Sequence, residues 1–213
     1  LTLSGAATND WIRLIGLSVT GTGASANPII QFGSGIRFLV DNCELDGTSL
    51  TGLFLKKTTG STKTVIHIRS SKLTVGASCT GVFANSADDS SCYFTVHDCE
   101  VNIIAGFTGS IVSGPDFRVS DCVFDASAVT SGVYRHVNCT SNGTAGKYLG
   151  SFVNNTFIDG GSTGFAFQLT SIATGSIFTE SGNTFIGFTA PTAVTAGQIY
   201  NVSHGTADGY QIH

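Results

Sequence analysis

The chain has 213 residues, of which 41% are hydrophobic, 11% are charged and 27 are glycine, and its formal net charge is −4. Disordered chains combine low hydrophobicity with high net charge, so this composition excludes disorder. The ten basic residues are scattered and give no footprint for a nucleic acid, and no apolar run reaches the roughly 18 residues that a membrane-spanning helix needs. Abundant Thr, Ser, Val, Ile, Phe and Gly residues, with few strong helix formers, predict an all-β protein.

A short pattern recurs along the chain: alternating apolar residues, a small polar turn residue, a small residue and then another apolar residue. Copies occur at 12–19, 38–45, 66–73, 94–101, 117–124, 152–158 and 177–186. The small residue after the turn recurs about every 28 residues, at Leu17, Cys43, Ser71, Cys99, Cys122, Thr156 and Thr184. One unit is too short to bury an apolar face alone, so the repeat predicts stacked coils.

Stacking of equivalent segments predicts a parallel β-solenoid of about seven coils of roughly 28 residues. We expect one domain over 1–213, with a lead-in at 1–10 and a C-terminal cap or tail at 198–213. Inward residues such as Phe38 and Val40 would then form columns through a continuous core. Because the sequence starts at Leu1 without an initiator Met or a secretory leader, we expect an excised domain or a mature fragment.

The turn residues form a column of their own in this arrangement. They are Asn42, Ser70, Asp98, Asp121, Asn155 and Asn183. Asn and Asp tolerate the left-handed backbone of a tight bend, and stacked copies can hydrogen-bond along the solenoid axis. With this ladder the chain resembles the right-handed parallel β-helix family, the pectate-lyase-like fold shared by pectinases, phage tailspikes and some adhesins. The resemblance covers the chain from about Trp11 onward and implies the fold more than the function.

The cysteines are interpreted by their positions. Cys43, Cys99 and Cys122 fall on one inward column, where we expect each to serve as a small hydrophobic residue, the alternative being a disulfide or a metal site. Cys79 and Cys92 flank a loop that contains Asp88–Asp89, and they either pair across it or stay separate. The sequence has no Cys-x-x-Cys and no His-x-x-x-His, so it predicts no zinc site and no cofactor.

Acidic residues occupy the predicted outward columns after the turn. Asp125 and Asp159 would lie one coil apart, about 5 Å, near the separation of the carboxylates in a retaining glycosidase. Glu44 and Glu100 would lie two coils apart, nearer the separation in an inverting enzyme. The alternative is a solvated acidic stripe that keeps the surface soluble.

Further residues are candidates for contact with a sugar. An outward column before the turn contains Arg13, Leu39, His67, Thr95 and Arg118, and an insertion at 134–142 begins with Tyr134, Arg135 and His136. Insertions on one face of a solenoid often form its binding site. The predicted glycan-binding set is therefore Glu44, Asp46, Glu100, Asn102, Arg118, Tyr134, Arg135 and His136.

The pectinase motifs, an Asn-Thr-Asp followed by Asp-Asp and a Gly-His-Gly, do not occur in this chain. The resemblance therefore favours a virion tailspike or tail-fibre domain, or a similar extracellular appendage, that recognises a bacterial cell-surface polysaccharide. It implies a homotrimer, while the charge and the lack of a long apolar run lead us to expect neither nucleic-acid binding nor membrane insertion. Two alternatives stay open: a polysaccharide hydrolase or lyase that uses an outward carboxylate pair such as Asp125 and Asp159, and a structural or adhesive surface module.

Overall fold

A computed structural model describes residues 2–3, 11–22, 28–33, 35, 37–57, 64–84, 92–113, 117–140, 149–170, 177–189, 192–194 and 201–203. The predicted lead-in at 1–10 and cap at 198–213 lie largely outside these residues, and Asp88–Asp89 lies wholly outside them. The described residues contain 23 strands and no helix.

The strands are short and follow one another in a regular order. The first eight are β1 (Thr2–Leu3), β2 (Trp11–Ile15), β3 (Ser18–Thr20), β4 (Ile30–Phe32), β5 (Arg37–Asp41), β6 (Glu44–Gly47), β7 (Leu53–Lys57) and β8 (Thr64–Arg69). The next eight are β9 (Lys72–Val75), β10 (Gly81–Ala84), β11 (Cys92–His97), β12 (Glu100–Ile103), β13 (Ser110–Ser113), β14 (Phe117–Ser120), β15 (Val123–Ala126) and β16 (Arg135–Thr140). The last seven are β17 (Leu149–Val153), β18 (Thr156–Asp159), β19 (Phe165–Thr170), β20 (Ile177–Ser181), β21 (Thr184–Ile186), β22 (Thr192–Val194) and β23 (Asn201–Ser203).

Every third strand belongs to the same sheet, which is the connectivity of a solenoid. Sheet 1 has the order β1-β4-β7-β10-β13-β16-β19-β22, sheet 2 the order β2-β5-β8-β11-β14-β17-β20-β23, and sheet 3 the order β3-β6-β9-β12-β15-β18-β21. All pairings between these strands are parallel, as between β8 and β11, where Ile66 lies opposite Phe94. The predicted fold class, an all-β parallel solenoid, is confirmed.

The core consists of files of equivalent apolar side chains. Phe38, Ile66, Phe94 and Phe117 follow one another in register on sheet 2, and each is at most 1% exposed. The rings of Phe94 and Phe117 stack with their centroids 5.0 Å apart. A fully buried side chain of this kind contributes about 1.5–3 kcal/mol, so successive coils stabilise one another through these files.

The turn between sheet 2 and sheet 3 has a left-handed residue in each coil. Positive φ angles occur here at Gly16, Asn42, Ser70, Asp98, Asp121, Asn154 and Gly182. Gly, Asn and Asp adopt this conformation at the lowest cost. On the outside of the turn, Ser70 Oγ donates to Asp98 Oδ2 at 3.0 Å, so the side chains link neighbouring coils.

Asn155 and Asn183 do not belong to this outer turn column, which corrects their predicted position by one residue. Each side chain is buried, with an exposure of 1% or less. They follow Asn154 and Gly182, the left-handed residues of their coils. The prediction aligned Thr156 with the cysteine column, whereas Thr156 lies in register with Val123, the residue after Cys122.

The buried position after the turn forms an internal ladder, which we define as Cys43, Ser71, Cys99, Cys122, Asn155 and Asn183. A side chain of one coil accepts a hydrogen bond from the backbone N–H of the coil before it. Asn155 Oδ1 accepts from Cys122 N at 3.0 Å, and Asn183 Oδ1 accepts from Asn155 N at 2.8 Å. The ladder thereby satisfies backbone groups that the sharp turn removes from the sheets.

The thiols of Cys43, Cys99 and Cys122 are free and buried, in agreement with a packing role. Cys79 is also a free, buried thiol, and its Sγ donates to the carbonyl oxygen of Gly47 at 3.8 Å. The alternative of a Cys79–Cys92 disulfide is therefore wrong.

Candidate functional site

The predicted pair of catalytic carboxylates does not form. Asp125 lies opposite Ile158 in the sheet 3 register, while Asp159 lies opposite Ala126. Asp125 is outward and partly exposed, and its Oδ1 accepts a hydrogen bond from Ser127 N at 2.8 Å. Asp159 points inward and is only 6% exposed. The prediction aligned the coil of Asn155 one residue out of register, and this shift placed Asp159 opposite Asp125.

Asp159 instead belongs to a buried polar cluster with Tyr134, His136 and Ser162. Its Oδ1 accepts hydrogen bonds from Tyr134 Oη at 2.7 Å and from Ser162 Oγ at 2.8 Å. His136 Nε2 lies 3.4 Å from Tyr134 Oη, and the His136 ring packs edge-on against Phe157 at 5.3 Å. Tyr134 and His136 are fully buried, so their prediction as sugar-contacting residues is wrong.

Burial governs the protonation of this cluster. It raises the pKa of the Tyr134 hydroxyl, which the neighbouring Asp159 carboxylate raises further. It lowers the pKa of His136 to about 3, so the imidazole is neutral at pH 7. Arg135, which lies between Tyr134 and His136, is partly exposed on sheet 1. The cluster is closed to solvent and holds two sheets together.

Replacing Tyr134 with phenylalanine tests this structural role. We expect the free energy of unfolding to fall by about 1.5–3 kcal/mol, because the buried Asp159 carboxylate loses one of its two donors. Chemical denaturation measures the change, with Tyr93→Phe on the partly exposed face of sheet 2 as the control. An unchanged stability in Tyr134→Phe would show that the hydrogen bond to Asp159 contributes nothing.

The outward acids of sheet 3 mostly contact their own neighbours. Glu100 Oε1 accepts from Asn102 Nδ2 at 2.7 Å and lies 3.5 Å from Lys72 Nζ. Asp46 Oδ1 accepts from Thr48 N at 2.9 Å, and Glu44 is exposed. A groove of about 430 Å³ runs along the junction of sheets 2 and 3, lined by Ser70, Lys72, Asp98, Glu100, Asp121, Asp125 and their neighbours. The described residues contain no group of three or more His, Cys, Asp or Glu side chains that could hold a metal ion.

The outward face of sheet 2 has a different character. We define the arginine–aromatic face as Trp11, Arg13, Arg37, Leu39, His67, Tyr93, Thr95 and Arg118. Its central column is formed by residues in register on consecutive strands: Arg13, Leu39, His67, Thr95 and Arg118. A groove of about 550 Å³ over this face is lined by Trp11, Arg13, Leu39, His67, Thr95 and residues at the adjoining turn.

Aromatic rings organise this face. The Trp11 indole stacks on the His67 imidazole with the ring centroids 5.3 Å apart and the planes 26° apart, and Trp11 keeps 38% of its surface exposed. The Arg37 guanidinium lies 6.0 Å from the Trp11 ring, and the Arg118 guanidinium lies 5.6 Å from the Tyr93 ring. The face therefore offers apolar ring surfaces next to positioned hydrogen-bond donors.

Next to the central column, Asp41 and Arg69 lie opposite each other at the ends of β5 and β8, and they form an ion pair. Arg69 Nη2 donates to Asp41 Oδ2 at 2.6 Å, and this contact holds the pKa of Asp41 below its ordinary value. Burial and the nearby Arg69 guanidinium lower the pKa of His67, so His67 is neutral at pH 7. Within the described residues, no carboxylate forms a salt bridge with Arg13 or Arg118.

The sequence identified part of this face. Arg118 was in the predicted glycan-binding set, and the column that contains Arg13 and His67 follows from the repeat. Trp11 and Tyr93 were missed, although each stands two residues before a member of that column. The alternation of side chains along a strand could have identified both residues, because residues two apart in a strand point to the same side.

The fold and these surfaces define the class of the protein: a parallel β-solenoid with a cationic, aromatic face on one sheet and an acidic face on the next. Comparison with known protein families, curated proteins and solved structures finds no match to the chain. Across the described residues, no helix is long and apolar enough to cross a bilayer.

Proposed function

We propose that this chain is a polysaccharide-recognition domain of a virion tailspike, a tail fibre or a similar extracellular appendage, and that it binds a bacterial cell-surface glycan. The observation that carries the proposal is the arginine–aromatic face. On this face the exposed Trp11 ring lies next to the solvent-exposed side chains of Arg13 and Arg37. Sugar recognition needs such a combination of an apolar platform for the ring face and donors for the oxygen atoms at its edge.

The shape of the face supports a polymer rather than a small ligand. Equivalent positions repeat along the sheet at about 4.8 Å, which is close to the length of one sugar residue in an extended chain. The central column from Arg13 to Arg118 spans five strands, about 19 Å. A flat, repeating surface of this length suits a repeating ligand.

The enzymatic alternative is weakened by the position of Asp159. A retaining or inverting glycosidase needs two carboxyl groups that both reach the substrate. Asp159 is buried beneath sheet 3 and bonded to Tyr134, so it cannot flank a glycosidic bond together with Asp125. Binding of a glycan to the arginine–aromatic face needs no pair of carboxylates. We therefore favour binding over hydrolysis.

A glycan array tests the proposed function. We expect the native chain to bind at least one bacterial surface polysaccharide, and we expect Trp11→Ala to weaken that binding at least tenfold, because stacking on an aromatic ring is lost. Val123→Ala is a matched control, since Val123 on sheet 3 has the same 38% exposure as Trp11.

Thermal unfolding of each variant checks that the solenoid is intact. If Trp11→Ala binds with the native affinity, the binding site does not include this face. If the folded native chain binds no glycan, the proposed function is wrong. Light scattering of the same samples measures the mass, for which the proposed appendage predicts a homotrimer.

A further inference from the structure

We propose that the arginine–aromatic face selects an acidic polysaccharide, whose carboxylate groups lie on Arg13, Arg37 and Arg118 while a sugar ring packs on Trp11. This inference rests on the proposed function and names the chemical class of its ligand. Three features of the face favour an anion: its charge, the rings beside its guanidinium groups, and the position of His67.

Charge is segregated between the sheets of this acidic protein. The net charge of the chain is −4, and the acids Glu44, Asp46, Glu100 and Asp125 project from sheet 3. Arg13, Arg37 and Arg118 project from sheet 2 and are exposed. In the part of the chain that the structure describes, Asp41 is the acid that pairs with an arginine on this sheet, and its partner is Arg69. Three guanidinium groups are therefore available to an external anion.

Two of these guanidinium groups lie over aromatic rings. Arg37 lies over Trp11 at 6.0 Å and Arg118 over Tyr93 at 5.6 Å. An arginine beside a ring keeps N–H donors for other partners, and those donors fit the two oxygens of a carboxylate. Because the rings already restrict both side chains, less entropy is lost when an anion binds.

His67 lies at the centre of the column between these arginines. The charged and titratable groups around it are Arg13, Arg37, Asp41, Arg69, Tyr93 and His97. Burial and Arg69 lower the pKa of His67 in the free protein, and an anion bound in the groove would raise it again. Binding would then take up a proton, so affinity should rise as the pH falls from 8 to 6.

Biolayer interferometry with immobilised polysaccharides tests the selection. The probes are hyaluronate and polysialic acid, with carboxyl-reduced hyaluronate and dextran as neutral counterparts. We expect the acidic polymers to bind at least tenfold more tightly than the neutral ones, with affinity falling as the NaCl concentration increases from 50 to 300 mM. We also expect the affinity to be about threefold higher at pH 6 than at pH 8, a difference that His67→Gln should remove.

Substitution identifies the groups responsible. Arg13→Gln and Arg118→Gln should each weaken binding of the acidic polymer about tenfold, since each removes a charge-assisted contact. Lys72→Gln on sheet 3 removes the same charge from another face, and we expect it to leave the affinity unchanged. Thermal midpoints equal to that of the native chain exclude unfolding as the cause.

The outcomes separate this inference from the proposed function. Binding of neutral polymers that is lost in Trp11→Ala, without any preference for carboxylates, would overturn the charge selection and leave the proposed function standing. Binding to no polysaccharide at all would overturn both. Equal or tighter binding of dextran sulfate or single-stranded DNA would overturn the assignment to a carboxylated glycan, because it would show that the face accepts any polyanion.

Discussion

Replacing Asn155 with alanine should lower the free energy of unfolding by about 2–5 kcal/mol. The Asn155 side chain accepts a hydrogen bond from Cys122 N and donates to the carbonyl oxygen of Val119 and to Asn183 Oδ1. Alanine leaves the buried Cys122 N–H without its acceptor, which costs about 1–3 kcal/mol, and it removes one donor each from the Val119 carbonyl and Asn183 Oδ1, at about 0.5–1.5 kcal/mol each. Urea denaturation followed by circular dichroism measures the change, since the signal averages over all coils.

Asn154→Gly is the matched control for this prediction. Asn154 is exposed, has a φ of 55°, and makes one long hydrogen bond, from its Nδ2 to Asp121 Oδ1 at 3.5 Å. Glycine adopts this backbone conformation readily, so we expect a change within about 0.5 kcal/mol. A large loss in Asn154→Gly together with a small loss in Asn155→Ala would reverse the assignment and place Asn154, not Asn155, on the internal ladder.

The same pair of residues shows how far the sequence could predict the fold. The repeat of about 28 residues and the alternation of apolar side chains fix the stacking, because each coil can bury its apolar face only against an equivalent one. The pattern cannot choose between Asn154 and Asn155, since both have the residue type of a turn. The choice depends on Asn183, which lies one coil further on and satisfies the Asn155 backbone N–H.

The candidate sites were harder to predict for a related reason. Tyr134 and His136 were assigned to the surface because they begin an insertion, and insertions often form a binding site, yet Asp159 and Ser162 provide partners inside the solenoid. The stacking of Trp11 on His67 joins side chains two coils apart. Contacts of this kind depend on side-chain directions across several coils, and the repeat specifies only the positions of the backbones.

The second large effect is a loss of stability in acid caused by His136. The folded state keeps this pKa at about 3 because the ring is buried, whereas the unfolded chain binds a proton on the same residue near pH 6.5. The unfolded state therefore binds more protons between these values, and stability falls as the pH decreases through this range. The expected slope is about 1.4 kcal/mol for each pH unit between pH 6 and pH 4.

The surroundings of His136 support this direction. Within the described residues, its Nδ1 atom has no hydrogen-bond partner, so a protonated ring would bury an unsatisfied N–H together with a charge. The backbone of Ile158 and the Asp125 carboxylate oppose this effect, and burial outweighs both. His67, a second described histidine with a lowered pKa, adds to the slope in the same direction. The lowered pKa of Asp41 also makes stability fall as the pH decreases, but mainly below about pH 5, where the unfolded chain begins to bind a proton on this carboxylate.

His136→Phe should remove most of this slope, because phenylalanine fits among the surrounding rings of Phe124, Phe157 and Phe188 and does not titrate. Urea denaturation at intervals from pH 7 to pH 4 compares this variant with the native chain and with His97→Gln, whose side chain is exposed. We expect the native chain and His97→Gln to lose stability in parallel, while His136→Phe loses less and keeps the smaller slope that His67 contributes. If the free energy of unfolding changes equally with pH in all three proteins, His136 is hydrated and protonated in the folded chain. That result would contradict its burial in the closed cluster with Tyr134.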